Sequence, residues 1–174
     1  MLHGFQTLLL FVFPALAIVA ALTDATSMTI PNWISVVLAL VFLPAALLAG
    51  ASLGDIGLSL ALGVGALVVA AGMFALHWIG GGDAKLFAAA ALWLGPTGAA
   101  PFLLWTAIAG GVLALCLLGA RRLSAMTGLP VRQPAWTERL LAPAGDIPYG
   151  IAIAAGALAA FPQSGLMAAA HLAA

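Results

Sequence analysis

Long apolar runs that contain almost no charge constrain this chain more than any other feature of its sequence. Only 6% of the residues are charged, whereas a soluble domain carries roughly 25%. A folded surface this apolar could not be covered by polar groups in water, but it suits lipid. Since a helix needs about 20 apolar residues to cross a bilayer, the runs predict an all-α, polytopic membrane protein with about six transmembrane helices. The predicted spans are residues 5–22, 33–50, 56–78, 84–95, 99–119 and 148–172.

Short polar and glycine-rich stretches separate the predicted spans and favour turns. Asn32, Asp55 and Asp83 each stand where a side-chain oxygen could cap the helix that follows. The fourth span is the shortest, because its roughly 12 residues rise only about 18 Å. We therefore expect it either to stop partway or to lie in a thinned bilayer. The whole chain, residues 1–174, is predicted to form a single membrane-embedded domain.

The basic residues indicate how the chain is oriented in the membrane. With six spans, all five lie in or beside the third and fifth loops: Lys85, Arg121, Arg122, Arg132 and Arg139. The positive-inside rule makes this side cytoplasmic, so that both termini face outward. If the short fourth span did not cross, Arg121 and its neighbours would lie opposite Lys85, so the one-sided charge favours six spans. The hydrophilic stretch 120–147 is then predicted to be a cytoplasmic loop.

Several classes of site and partner lack support in the sequence. The net charge is zero and no basic run exists, so the chain has no electrostatic footprint for nucleic acid. Cys116 is the only cysteine, which excludes an internal disulfide and a paired-cysteine zinc site. We expect it to be a small buried apolar residue. The first apolar run lacks a basic segment before it and is long enough to span, so it predicts a retained membrane helix rather than a signal peptide.

The five acidic residues differ in their predicted depth in the membrane. Glu138 and Asp146 lie in the predicted cytoplasmic loop, where a charge is easily solvated, and Asp55 is interpreted as a helix cap. Asp24 and Asp83 instead lie at the cytoplasmic ends of spans, at the edge of the apolar layer, although 59 positions separate them. An ionisable residue at the edge of a membrane core is by default a functional candidate.

Two carboxyl groups at one depth could form an acid–base pair. Within a few ångströms of each other they cannot both ionise easily, so they share a proton. In an aspartic protease one carboxylate activates a water as base, while the other protonates the carbonyl oxygen of the substrate as acid. The sequence indicates that Asp24 and Asp83 have compatible depths, not that they meet. The alternative is two aspartates in unrelated cap or interfacial positions.

The residues around Asp83 are candidates for binding a peptide substrate. Gly80, Gly81 and Gly82 have no side chains, so their backbone could take positive φ and approach another chain closely. An extended peptide could lie against such a backbone, although a plain interhelical turn is the alternative. Lys85 could act on the charge of Asp83, or it could anchor the helix end by reaching towards the interface.

Three motifs in this sequence resemble those of the type IV prepilin peptidase family. "GGGD" at 80–83 fits the GxGD signature of membrane-embedded aspartyl proteases, and in this family it is followed by a small residue and a lysine, as in "DAK" at 83–85. "DATSMTIPN" at 24–32 fits the family's D-x5-I-P-N element. "IPYGIAIAAG" at 147–156 resembles the start of its last helix. The resemblance covers essentially the whole chain.

This resemblance implies a GxGD aspartyl protease fold with Asp24 and Asp83 as the catalytic pair. It implies no metal and no cofactor. The expected substrates are prepilins and pseudopilins, which carry a short basic leader before an apolar helix and are cut at the cytoplasmic face of the bacterial inner membrane. The expected partners are therefore these substrates, the lipid bilayer and the pilus-assembly machinery.

The length of the chain narrows the resemblance. Larger members of the family carry an extra cytoplasmic region, often with paired CxxC motifs, that is linked to N-methylation of the trimmed pilin. This chain has no such insertion. It therefore resembles the short CpaA/TadV-type form that serves Flp pili, for which peptidase activity without methyltransferase activity is implied.

Other functions remain compatible with an apolar chain that holds two aspartates. Carboxylates near one membrane face also suit a small ion-coupled transporter, although no carboxylate is predicted at mid-membrane. A non-catalytic component of a secretion complex would need neither aspartate. Within the proteases, presenilin-like and archaeal preflagellin-type enzymes are neighbours, and the I-P-N element favours the bacterial pilin type.

Overall fold

The computed structural model describes residues 2–127, 134–142 and 145–172 of the chain, and the regular structure in these ranges is helical. The helices are α1 (Leu2–Ser27), α2 (Asn32–Leu48), α3 (Leu53–Ala75), α4 (Gly81–Thr127), α5 (Ala135–Leu141), α6 (Tyr149–Ala160), a 3-10 turn (Phe161–Gln163) and α7 (Gly165–Leu172). Four helical stretches are long and apolar enough to cross a membrane: Phe5–Ser27, Leu53–Ala75, Gly81–Met126 and Tyr149–Leu172. The chain is therefore an all-α, polytopic membrane protein, while the count of six crossings stays a prediction.

The long helix α4 reverses direction at Gly95. This glycine has φ 62° and ψ −173°, a conformation that is essentially restricted to glycine. The rings of Phe87 and Phe102 stack with their centroids 5.0 Å apart, whereas fifteen residues of continuous helix would separate them by about 22 Å. The two halves, residues 81–94 and 96–127, therefore lie antiparallel, and the break predicted after the fourth span is present.

The first half of α4 is the interior of the helix bundle. Every residue from 88 to 95 is buried. Trp93 is 1% exposed, stacks on Phe13 of α1 with centroids 5.3 Å apart, and donates its indole N–H to the carbonyl oxygen of Leu38 in α2 at 2.8 Å. Because other helices surround this short segment, its length is matched to its protein neighbours rather than to a full thickness of lipid.

Close backbone packing holds α6 against the second half of α4. A Cβ placed on Gly156 would lie 2.6 Å from the backbone nitrogen of Thr106, so no larger residue fits between these two helices. Small residues serve the same purpose at helix interfaces in lipid, where dispersion contacts rather than water exclusion drive association. This contact sets the position of α6, whose first turn reaches the candidate site.

The predicted caps of α2 and α3 are wrong. α2 has Pro31 at its N-cap, and Asn32 is already helical; its Oδ1 accepts from Lys85 Nζ at 2.8 Å instead. α3 begins earlier than predicted, with Ser52 at its N-cap. Ser52 Oγ accepts from the backbone N–H of Asp55 and donates to Asp55 Oδ2 at 2.6 Å, so Asp55 is the partner of the cap rather than the cap.

The predicted cytoplasmic loop 120–147 is partly helical. α4 continues to Thr127, and α5 lies within the loop. Arg132, one of the basic residues used to orient the chain, lies outside the described residues. Cys116, expected to be buried, is exposed on the second half of α4.

Candidate active site

Asp24 lies in the last turn of α1 and is held by the first turn of α6. It is 5% exposed, and its Oδ2 accepts a hydrogen bond of 2.7 Å from the backbone N–H of Gly150. The N–H groups of a helix's first turn have no partner within the helix, so a carboxylate is well suited to this position. A Cβ on Gly150 would lie 2.7 Å from Asp24 Oδ2 and 2.7 Å from Ile30 Cδ1. Only glycine fits at position 150, and the sequence motif at 147–156 did not reveal this requirement.

Asp83 lies in the first turn of α4, on the third residue of the helix. The carbonyl oxygen of Gly80 accepts the first helical hydrogen bond, from Ala84 N at 3.0 Å, so Gly80 takes the N-cap position that was predicted for Asp83. The carboxyl group of Asp83 reaches back to the backbone N–H of Gly80, as in a capping box. Its Oδ1 is buried and has no hydrogen-bond partner among the described residues. One oxygen is thus held by the chain and the other is unpartnered.

The structure brings Asp24 and Asp83 together at one end of the bundle. The two carboxyl groups lie close enough for their charges to interact. Ile30, which is 8% exposed, packs near both aspartates: its Cδ1 lies against Gly150, and its Cβ would be 3.0 Å from a Cβ on Gly82. The isoleucine of the I-P-N element therefore packs against both the glycine beside Asp83 and the glycine that binds Asp24.

The three glycines before Asp83 pack against the chain itself. A Cβ on Gly81 would lie 3.3 Å from the ring of Phe74, and one on Gly80 would lie 3.0 Å from Asp83 Oδ2. Neither these two nor Gly82 has the positive φ that the sequence suggested. Their small size is used for close approach of the protein's own side chains, and contact with a substrate stays a prediction.

Lys85 points away from the pair of aspartates. Its ammonium donates to Asn32 Oδ1 at 2.8 Å on the exposed side of the first turn of α4. This hydrogen bond joins the beginning of α2 to the beginning of α4 at the end of the bundle where the aspartates lie. A contact of Lys85 with substrate stays a prediction. The sequence did not suggest its hydrogen bond to the asparagine of the I-P-N element.

A groove of about 590 Å³ opens beside Asp83, and we call it the Asp83 groove. Its walls come from α3, from both halves of α4 and from α6; among the lining residues are Met73, Asp83, Phe87, Thr106, Gly111 and Ile153. The lining is almost wholly apolar. The Oγ1 of Thr106 is buried without a hydrogen-bond partner among the described residues, as is Asp83 Oδ1. The groove therefore offers an apolar channel with a carboxyl group in its lining.

Within the described residues, no group of three or more His, Cys, Asp or Glu side chains is arranged to hold a metal ion. The chemistry that these residues can support is instead proton transfer between two neighbouring carboxyl groups and a bound water. Each aspartate accepts a hydrogen bond from a backbone N–H group at the start of a helix, and this bond holds its carboxyl group in place.

Comparison with known families gives a match to the type IV leader peptidase family over residues 11–115, a segment that contains both aspartates. Comparison with curated protein sequences and with solved structures gave no significant match. Since the matched segment covers more than half of the 174 residues, the chain belongs to the type IV leader peptidase family and is a membrane-embedded peptidase.

Proposed function

We propose that this peptidase is an aspartic endopeptidase that removes the leader of Flp-type prepilins and pseudopilins, with Asp24 and Asp83 as its acid–base pair. Family membership supports a leader peptidase activity and argues against the transporter and the non-catalytic component. The observation that carries the mechanism is the convergence of two carboxyl groups, distant in sequence, at one end of an apolar bundle.

The proposed reaction uses one ionised and one protonated carboxyl group. The ionised group takes a proton from a water molecule, whose oxygen attacks the carbonyl carbon of the scissile peptide bond. The protonated group donates to the carbonyl oxygen, giving a tetrahedral diol; a proton passed to the leaving nitrogen then lets the C–N bond break. Asp83 lines the groove and its Oδ1 has no hydrogen-bond partner among the described residues, which supports a direct contact of this residue with the substrate.

The proposed orientation has the aspartates at the cytoplasmic face of the inner membrane and both termini outside. Lys85 and Asn32 are exposed at the end of the bundle where the aspartates lie, and the exposed Arg122 follows on the second half of α4. Exposed basic residues on this side fit the positive-inside rule. We further propose that the chain acts as one domain, that it lacks methyltransferase activity, and that pilus-assembly proteins are its partners in the membrane.

Co-expression with a Flp-type prepilin, in a bacterial host without other prepilin peptidases, tests the proposed reaction. We expect the wild-type chain to trim the prepilin, and Asp24→Asn and Asp83→Asn each to lower the rate by about 10²- to 10⁴-fold, the contribution typical of a general acid or base. Asparagine keeps an oxygen that can accept from Gly150 or Gly80, so the fold should survive. The measurement is the mobility shift of the prepilin on a gel over time.

Asp55→Asn is the matched control, because Asp55 is exposed at the opposite end of α2 from the pair and its hydrogen bonds within the described ranges are its capping contacts with Ser52. We expect this variant to trim at close to the wild-type rate. Normal trimming by either Asp24→Asn or Asp83→Asn, at equal protein level in the membrane, would show that the pair is not the catalytic centre.

A further inference from the structure

The Asp83 groove is bordered by apolar residues on the outer surface of the bundle. Val69 of α3 and Leu103 of α4 form its rims and are 63% and 56% exposed, on surfaces that lipid would cover in a membrane. Its lining on the second half of α4 runs from Leu103 to Ala114, which corresponds to about 17 Å of helix. The groove is therefore long enough for about three turns of a second helix that lies beside α4.

The carboxyl group of Asp83 makes a purely lipid occupant a poor fit. Asp83 lines the groove, and its Oδ1 has no hydrogen-bond partner among the described residues. Buried polar groups in folded proteins are almost always paired, because an unpaired group loses its hydration without replacement. An acyl chain offers neither donor nor acceptor, whereas a peptide offers both along its backbone together with apolar side chains.

Small residues line the groove where no part of the chain packs on them. A Cβ on Gly111 would have no heavy atom within 4 Å, and one on Gly110 would meet only the Cβ of Ala152 at an ordinary 3.6 Å. Ala107 and Ala114 continue this surface along the helix. Small residues at such positions let the backbone of another helix approach closely in lipid. The packing of the described residues leaves this surface open for a partner.

A second groove provides a comparison. It has a volume of about 520 Å³, lies between α2, α3 and the first half of α4, and is lined by Asn32, Ser35, Ala39 and Lys85 among others; we call it the α2–α3 groove. It also contains one unpaired buried atom, Ser35 Oγ. However, neither aspartate is among its lining residues, so a peptide held there would not present a bond to the pair.

We propose that the Asp83 groove binds the apolar helical segment that follows the scissile bond of a leader-bearing substrate. The substrate enters from the bilayer between α3 and the second half of α4, and its helix lies beside Asp83. This assignment rests on the proposed function for the class of substrate. It adds the location of docking and the residues of α4 that the substrate contacts.

Filling the groove tests the assignment through kinetics. Gly111→Leu places a side chain in the open groove, and we expect it to raise KM for a detergent-solubilised Flp-type prepilin at least tenfold with a smaller change in kcat. Gly119→Leu is the matched control, since it lies on the same helix with no heavy atom within 4 Å of its Cβ. Ala39→Leu fills the α2–α3 groove instead. Both controls should stay within about twofold of the wild type.

Disulfide trapping tests binding without cleavage. In a Cys116→Ser, Asp83→Asn background, Ala107→Cys should cross-link to a prepilin with one cysteine in its apolar segment, and Ala39→Cys should not. Because alanine to cysteine is a small change, this measurement also decides the matter if Gly111→Leu fails to fold.

The possible outcomes separate the two proposals. Cleavage by the wild type, with no trapping at position 107 or with equal KM values for Gly111→Leu and Gly119→Leu, overturns the groove assignment and leaves the proposed function standing; such a groove would hold lipid only. Trapping at position 39 in place of 107 moves docking to the α2–α3 groove. Trapping at position 107 without cleavage by the wild type supports the groove and overturns the proposed function.

Discussion

At the scale of single residues, the geometry around Asp24 depends on Gly150. Its N–H binds one carboxylate oxygen, and its missing side chain leaves room for Asp24 and Ile30 on the same side. We expect Gly150→Ala to lower the cleavage rate by about 10²-fold, because a Cβ 2.7 Å from Asp24 Oδ2 must push the carboxylate away from Asp83. The added methyl group should also lower the free energy of unfolding by about 1–3 kcal/mol, as overpacking usually does. Prepilin trimming and thermal unfolding in detergent measure the two effects.

The control for this change is Gly65→Ala, at a helical glycine of α3 whose Cβ would have no heavy atom within 4 Å. It should leave trimming unchanged and raise helix stability slightly, since alanine favours helix by about 1 kcal/mol over glycine. If Gly150→Ala trims at the rate of Gly65→Ala, then the contact between Gly150 and Asp24 does not matter for the reaction.

The sequence predicted the depth of the two aspartates but not the contacts that join them. A carboxylate at the end of an apolar run is a local signal, so Asp24 and Asp83 could be found by position alone. The hydrogen bond between Asp24 and Gly150 joins residues 126 positions apart, and no local pattern encodes it. The errors at Asn32 and Asp55 have a related cause: several polar residues near a helix start can cap it, and the tertiary contacts decide which one does.

At the scale of elements, the carboxyl groups of both aspartates lie beside the N-terminal end of a helix. Asp83 belongs to the first turn of α4, and Asp24 meets the first turn of α6 from outside. The free N–H groups of these turns, together with the helix dipole, favour negative charge at such places. The candidate site is therefore assembled from two helix ends, and its shape depends on how α4 and α6 are held relative to each other.

Arg121 holds these elements together beyond the site. It is 8% exposed, and its guanidinium donates to the carbonyl oxygens of Leu140 at the end of α5 and Asp146 before α6, each at 2.8 Å. We expect Arg121→Gln to lower the free energy of unfolding by roughly 1.5–3 kcal/mol for each lost charged hydrogen bond. It should also slow trimming, because the segment that leads to Gly150 loses its support. Thermal unfolding in detergent and the trimming assay give the two values.

Arg122→Gln distinguishes the loss of the Arg121 hydrogen bonds from the loss of one positive charge. Arg122 is the next residue and is exposed, so its loss removes the same positive charge from the same part of the chain. Topology and net charge change equally in both variants. Equal unfolding temperatures for Arg121→Gln and Arg122→Gln would mean that Arg121 does not brace α6.

At the scale of the whole molecule, the sequence predicted the helical segments well and their arrangement poorly. Apolar runs and Gly-Pro turns are local, so the break at Gly95 and the short fourth segment could be foreseen. From the sequence alone, that segment is expected to be a short span that stops partway or lies in a thinned bilayer. In the structure it is the buried centre of the bundle, around Trp93, because α1, α2, α3 and α6 pack around it. Which helices surround a segment is decided by contacts between distant residues, and periodicity within one helix does not report them.

The orientation of the bundle depends on α2, an apolar helix that is shorter than the four stretches found long enough to cross a membrane. Its 17 residues rise about 26 Å, slightly less than the hydrocarbon core. If α2 crosses and the aspartates face the cytoplasm, a cysteine before α2 and one after it must react from opposite sides. Thr29 and Leu53 are exposed at these two positions. In a Cys116→Ser background, Thr29→Cys should react with a membrane-impermeant maleimide only in inverted vesicles, and Leu53→Cys only in intact spheroplasts.

Each result of this labelling has a distinct meaning, because the two cysteines report both on the crossing and on its direction. Labelling of both from the same side would mean that α2 does not cross, which would leave five crossings at most. The reversed pattern would place Asp24 and Asp83 outside, where a cytoplasmic leader could not reach them, and would contradict the proposed substrate. The expected pattern requires the substrate's leader to approach from the cytoplasm while its apolar segment lies in the bilayer. The Asp83 groove, which has exposed apolar residues at its border and a carboxyl group in its lining, meets both requirements.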